Sequence, residues 1–350
     1  MKMAIRRTIA LLAVSAATAG AIAQEVVLKV HHFWPPIAMG PKNHLEPWCA
    51  RIQQESGNRM RCQIYPAMQL GGTPPQLIDQ VRDGIADIVW TLPGYTAGRF
   101  PVMEVFELPF MTQTAEAASR AAWQYYEKHA VREFAGIKPL AFHVHDQGYL
   151  HTRDRQIRTL ADFQGLKLRA PTRQTNRMLA AFGATPVSMP LPALTEAMSK
   201  GVIDGFVLPW EVIPSVKLQE MVKFHTETDP SMRSLYTAVF VFAMNPAKYA
   251  SLPADLKAVI DRNSGLSLSG HIGALWDNSK AAARSTAVER GNAFHTVPAT
   301  ELAQWERRSR TLYADWLADM NKRGLDGNAM LADARALIAA QDAARGKAGR

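Results

Sequence analysis

The sequence predicts an α/β protein built from two similar units that face one another, and three features predict it. Short β-branched runs alternate with helical periodicities, the pattern of a mostly parallel sheet with helices on both faces. The chain of 350 residues is longer than one domain ordinarily requires. Finally, Asp83-Gly84-Ile85-Ala86-Asp87-Ile88 is echoed by Lys200-Gly201-Val202-Ile203-Asp204-Gly205.

The first residues read as an export leader. Lys2, Arg6 and Arg7 make a basic start, an apolar run follows, and Ala21-Ile22-Ala23 gives a small-residue cleavage pattern. Residues 1–23 are therefore expected to be removed before Gln24. The alternative, an uncleaved anchor, asks for roughly 20 strongly apolar residues, and Gly20 and many alanines dilute this run. No later segment is apolar and long enough for a span. The mature chain is expected to be periplasmic and not membrane-embedded.

Residues 26–30 form a short β-branched first strand. Leu45, Trp48 and Ile52 then recur at helical spacing up to Gly57, with Pro47 starting or kinking that helix. Residues 61–65 are a second strand, 75–83 a short helix ended by Gly84, and 85–90 a third strand. A longer helix starts at Thr112 or Thr114 and runs to Gly136, with a strand at 139–144. In the second half, 167–169, 202–208 and 237–244 read as strands, and 176–182 and 193–200 as helices. From Ala254 the chain turns helical and alanine-rich, with Trp276, Trp305 and Trp316 on inner faces.

In both copies of the echo a short helix ends in glycine and a strand opens on an aspartate. Each strand then runs into a Leu-Pro pair, Leu92-Pro93 and Leu208-Pro209, with Trp90 and Trp210 close by. Open α/β sheets bind ligands outside the carboxyl ends of their strands. Two such units facing each other make a cleft.

The formal charge of +9 falls to +6 when Lys2, Arg6 and Arg7 leave with the leader. The remaining charge is not gathered into a run, so no nucleic-acid partner is expected and a small anion fits better. Cys49 and Cys62 are the only cysteines; they form either a disulfide, which the periplasm permits, or two buried thiols. Their spacing suggests no metal.

Between His151 and Met178, seven basic residues (Arg153, Arg155, Arg158, Lys167, Arg169, Arg173, Arg177) face only Asp154 and Asp162. Arg169 ends an apolar strand just before Ala170-Pro171, which aims its guanidinium into the cleft, where the planar fork matches a carboxylate. A structural ion pair is the alternative. His143-Val144-His145 at a strand end suggests a metal or a polar cleft lining, and no Asp/Glu pair completes a metal set. His31-His32 stands the same way. No Gly-x-Ser-x-Gly elbow occurs between strand and helix, and Gly71-Gly72 lacks the lysine of a phosphate loop. No enzyme, cofactor or metal is expected. The rival reading is a periplasmic hydrolase or metal enzyme using His143, His145 or Glu211.

Four patches resemble the substrate-binding subunits of TRAP transporters (tripartite ATP-independent periplasmic transporters). They are Tyr65-Pro66 to Leu70-Gly71 with Leu77 to Gly84; Glu107-Leu108-Pro109-Phe110; Ala161-Asp162-Phe163-Gln164-Gly165-Leu166-Lys167-Leu168-Arg169-Ala170-Pro171; and Lys200-Gly201-Val202-Ile203-Asp204-Gly205. The resemblance implies a two-lobed α/β Venus-flytrap with a long C-terminal helix spanning both lobes. It implies a first lobe at 24–150 with a returning segment near 237–275, and a second at 151–236 with the helical segment near 276–340. It also implies TRAP membrane permease subunits as partners and an organic acid as ligand.

The family's carboxylate-binding arginine falls on Arg169, and a second family arginine on Arg153, although the spacer between them is shorter than in sialic-acid-binding members. Many members carry Gln-Glu-Asn-Pro after the Asp-Gly. Here Phe206-Val207-Leu208-Pro209-Trp210-Glu211 follows, so Leu208 replaces a polar amide and Trp210 adds an aromatic. With Phe33, Trp34 and Trp90 as the opposite wall, and His32 and His145 at strand ends, this suits an aromatic or hydrophobic monocarboxylate. A four-carbon dicarboxylate is the runner-up.

Overall fold

A computed structural model describes residues 25–348; the expected leader and its cleavage site lie outside the described residues. The strands are β1 (Val26–His32), β2 (Met60–Tyr65), β3 (Ile88–Thr91), β4 (Lys138–Val144), β5 (Gly148–Thr152), β6 (Lys167–Ala170), β7 (Thr185–Ser188), β8 (Gly205–Pro209), β9 (Phe224–Glu227), β10 (Val239–Met244) and β11 (Ala293–Thr296). The helices are α1 (Glu46–Glu55), α2 (Leu77–Arg82), α3 (Ala115–Tyr125), α4 (Arg173–Phe182), α5 (Leu194–Ser199), α6 (Val212–Ser215), α7 (Pro246–Ser251), α8 (Ala254–Arg262), α9 (Gly265–Glu289), α10 (Ala299–Lys322) and α11 (Gly327–Ala348).

Two sheets form, ordered β2-β1-β3-β10-β4 and β11-β9-β5-β8-β6-β7. Each is parallel at its core, through β2-β1-β3 and β8-β6-β7, but not throughout. β10 runs antiparallel to β3 and β4, and β5 runs antiparallel to β8 and β9. The cause is the crossover. The chain enters the second sheet from β4 through residues 145–147 and returns to the first ahead of β10. A strand entering at the cleft, where its neighbours end, has to run against them.

The sequence echo is one device built twice. Asp87 and Asp204 each fold back onto an adjacent strand: the Lys29 N–H donates to Asp87 Oδ2 at 2.8 Å and the Lys167 N–H to Asp204 Oδ2 at 2.7 Å. Gly84 and Gly201 sit at φ +77° and +66°, where a β-carbon would be strained. This turn delays β3 to Ile88, past the expected start, and leaves Ile85 half exposed.

Caps and prolines set other boundaries. Thr114 caps α3 by accepting from the Ala117 N–H, and Pro47 sits in the first turn of α1, where a π-helical turn, Gly40–Leu45, runs into it. Strands β7, β9 and β11, of four residues each, escaped the sequence reading.

Three segments join the lobes. Phe110 and Ser234, and Ser234 and Thr112, exchange backbone bonds of 2.8 and 2.7 Å across the crossovers. Gly148 lies under the Tyr236 ring, where a β-carbon would fall 2.1 Å from a ring atom. Helix α9 packs on α3 and β4 of the first lobe and pairs Arg284 with Glu227 of the second. It spans both lobes. α10 packs on α4 but sends Tyr313 and Trp316 to the Pro109 and Pro101 carbonyls of the first lobe. α11 packs on α3, so the segment 276–340 does not all belong with the second lobe as expected: the apolar face of α11 finds its cover in the first.

Cys49 on α1 and Cys62 on β2 are bonded, their Cα atoms 5.6 Å apart. Closing so short a loop restrains the unfolded chain by about 3 kcal/mol. The double replacement Cys49→Ala/Cys62→Ala is expected to lower unfolding free energy by about that amount, read by urea titration, with ligand affinity unchanged.

Candidate functional site

The strands' carboxyl ends from both sheets meet around a half-enclosed cavity of about 30 Å³, room for about two waters, so the lobes must part slightly to seat anything larger. The first lobe lines it with Phe33, Trp34, Leu92, Tyr95, Ala238 and Phe240. The second supplies Arg169, Pro171, Leu191, Leu208, Pro209 and Val212, and the crossing segments His145, Tyr236 and Trp276. Leu92 and Leu208, the leucines of the two Leu-Pro echoes, face the same space from opposite lobes.

Arg169 is 1% exposed. Its Nε donates to the Met189 carbonyl at 3.0 Å and its Nη1 to the Val207 carbonyl at 3.3 Å. Among the described residues no carboxylate pairs with it. Burial pushes the guanidinium down from its ordinary range. The groups its charge reaches are Tyr95, Tyr236 and His145, none of them an acid. The Tyr95 hydroxyl accepts from the Leu191 N–H at 3.2 Å, leaving its own proton to give, and the Tyr236 hydroxyl has no partner.

His145 is a neutral wall. The Ala238 N–H donates to Nε2 at 3.0 Å, while Nδ1 faces the Asp146 carbonyl at 2.6 Å. Nδ1 must then carry the proton, and no nitrogen is left for a ligand. Burial pushes His145 down to about 4. His143 is engaged likewise, with Nε2 2.8 Å from the donating Trp90 Nε1 and its ring stacked on Phe240.

Other expected residues sit elsewhere. Arg153 follows β5, and because β5 opposes β8 it falls beside the start of β8, where the Arg153 N–H donates to the Asp204 carbonyl at 2.9 Å. Four residues at about 3.3 Å each separate it from the Leu208 end. Its guanidinium bonds the Met198 carbonyl, so it is no second cleft cation. Trp90 lies behind Trp34, ring centroids 5.8 Å apart, filling the space over Gly40. Trp210 packs in the second lobe against His225 and Phe294 and donates to Glu227 at 2.8 Å. Strand alternation stops at Pro209, so Trp210 does not share Leu208's face. His32 is buried beneath the wall, its Nδ1 accepting from the Trp34 N–H at 3.2 Å.

Sequence reasoning missed Tyr95 and Tyr236 as site residues. Tyr95 stands three residues beyond Leu92 as Leu191 and Val212 stand beyond β7 and β8, in turns no periodicity marks. The lobes are latched outside the cavity too: Arg173 pairs with Glu104 at 2.6 Å across the cleft, and Gln174 donates to the same carboxylate at 2.7 Å.

The model of "Bacterial extracellular solute-binding protein, family 7" matches residues 32–319. The chain belongs to that family. Solved TRAP solute-binding proteins share its fold closely. One from Rhodoferax ferrireducens, in complex with copurified benzoate, is 50% identical with a TM-score of 0.90, covering 91% of this chain and 99% of its own. One from a marine metagenome, described as specific for aromatic acid ligands and solved with 3-hydroxybenzoate, is 47% identical with a TM-score of 0.89, covering 91% and 99%. A Bordetella bronchiseptica protein with bound mandelates is 30% identical with a TM-score of 0.83, covering 89% and 98%. The C4-dicarboxylate-binding periplasmic protein of Rhodobacter capsulatus is 25% identical over 82% of this chain and 85% of its own.

In this TRAP solute-binding protein the latch should set residence time. Glu104→Ala strips Arg173 and Gln174 of a shared buried acceptor while Asp319 still pairs with Arg173. Stopped-flow dissociation of bound acid is expected to accelerate about tenfold or more, with association little changed.

Proposed function

We propose that this TRAP solute-binding protein captures a monocyclic aromatic monocarboxylate and delivers it to its membrane permease subunits. The observation that carries the reading is Arg169: a buried guanidinium without an acid, set in an otherwise apolar and aromatic cavity. Such a charge is costly until an anion pairs with it. A carboxylate against the Arg169 fork, with the Tyr95 and Tyr236 hydroxyls as further donors, meets that need. The ring then lies among Trp34, Phe240, Trp276 and Leu208, gaining about 25 cal/mol for each Å² of apolar surface buried.

A dicarboxylate fits poorly. Arg153 lies at the far end of β8 and His145 is held neutral, so a second carboxylate meets no cation. The benzoate-, hydroxybenzoate- and mandelate-bound relatives support the aromatic class.

The chain acts as a receptor and not as an enzyme. The rival enzyme reading rested on His143, His145 or Glu211; both imidazoles spend their nitrogens on the protein itself, and Glu211 does not line the cavity.

Two results are expected from calorimetry. Benzoate or a hydroxybenzoate binds at least tenfold more tightly than succinate at equal ionic strength; the reverse order removes the aromatic reading. Arg169→Lys, which keeps charge but loses the planar fork, weakens benzoate by about ten- to hundredfold, the worth of roughly 1.5–3 kcal/mol, in a protein that melts as the wild type does.

A further inference from the structure

Glu211 plays no part in the carboxylate clamp, yet it stands where the lobes meet. It follows β8 in the second lobe, directly before α6, and is 5% exposed. Its Oε1 accepts from the Met39 N–H of the first lobe at 3.1 Å. Its Oε2 is buried with no partner. Among the described residues no cation pairs with it. The Met39 segment brings none, since Lys42, its nearest cation along the chain, pairs with Glu46 at the surface.

The other group facing Glu211 is an acid. Asp146, on the crossover after β4, feels the Glu211 charge and has both carboxylate oxygens buried and unpartnered. On α9, which packs against α6, Lys280 and Asp277 bear on Asp146 with opposite signs. Lys280 donates to Gln147 and Tyr149 and forms no ion pair with Asp146, although its charge offsets part of the burial cost there. Two buried carboxyls thus share one junction without an ion-pair partner. A carboxylate so placed is stabilised by becoming a carboxylic acid.

We infer that Glu211 is a proton-binding site coupled to capture: the lobes close on a protonated Glu211, and the proton returns to solvent when they part. The inference rests on the ligand reading above, because the ligand drives closure. Burial pushes Glu211 up to about 7 in the closed form. Parting the lobes removes the Met39 segment and readmits water, returning the carboxyl toward the ordinary value of about 4.3. A pKa raised by closure makes the closed form bind the extra proton. Its stabilisation is full below the open-form value and is lost as pH rises through about 7. The solvent supplies the proton, and the ligand stays an anion on Arg169.

The test is benzoate titration of the whole mature protein between about pH 5.5 and 8.5, in paired buffers of different ionisation enthalpy. Wild type is expected to take up close to one proton per benzoate bound below pH 7 and to weaken by about tenfold per pH unit as pH rises toward 7, with both the uptake and the slope vanishing above it. Glu211→Gln imitates the protonated side chain and keeps an acceptor for Met39. It should hold the low-pH affinity across the range, with the slope and the proton uptake both gone. Tight binding with a flat wild-type profile overturns the proton site and leaves the ligand class standing. An undiminished slope in Glu211→Gln assigns the proton elsewhere, to Asp146 or to Glu107, another buried carboxyl, which meets Thr172 of the second lobe, and overturns it too. Failure of benzoate and every other ring acid to bind overturns the ligand class, and the coupling with it.

Discussion

The buried charge of Arg169 is the constraint on which the closed structure depends. The guanidinium stands near the end of β6, is held by the Met189 and Val207 carbonyls, and among the described residues has no carboxylate to neutralise it. Carbonyl oxygens orient the fork but only partly offset the cost of taking a cation out of water. With the lobes apart, water meets that cost. With the lobes together and the cavity empty, nothing does. On the proposed reading the ligand's carboxylate is the missing half of an ion pair, and an anion then selects the closed form where a neutral ring of the same shape does not.

Bringing that charge to the cleft is a consequence of chain direction. Parallel strands deliver all their carboxyl ends to one edge, so two such sheets facing edge to edge place β1, β3, β6 and β8 termini around a single space. The crossovers pass through the same space, and β5 and β10 therefore start where their neighbours stop. This one fact accounts for the mixed sheets, for the presence of His145 and Tyr236 in the cavity wall, and for the displacement of Arg153 to the opposite end of its sheet.

Much of this was legible in the residues, and the failures have a pattern. The echo gave both Leu-Pro turns, and Leu92 and Leu208 do face one cavity. Arg169 was legible because an arginine closing an apolar strand has few other places to go. Trp90 and Trp210 were not, since a tryptophan beside a strand end serves a core as readily as a cleft, and only the turn at Pro209 decides between them. β9 (Phe224-His225-Thr226-Glu227) and β11 (Ala293-Phe294-His295-Thr296) mix aromatic and polar residues and lack an apolar β-branched run like that of β3. Tyr95 and Tyr236 lie in irregular turns, where position is set by the other lobe.

The contacts that close the lobes fall into two kinds, and the difference explains how closure stays reversible. Glu104 with Arg173 and Gln174, and Tyr95 with the Leu191 N–H, join the lobes through protein atoms alone. If these alone decided the matter, the empty protein would remain shut, and a receptor already shut takes nothing up. Against them stand the unpaired Arg169 and the buried carboxyls of Glu211 and Asp146, which penalise closure. Moving a two-state equilibrium from 1:99 to 99:1 takes about 5.5 kcal/mol of differential affinity. One ion pair formed in an apolar cavity, together with an aromatic face removed from water, is of that order. The latches can therefore be as strong as the penalties permit and no stronger, and the polar groups left unsatisfied around the cleft are what keep the empty form able to open.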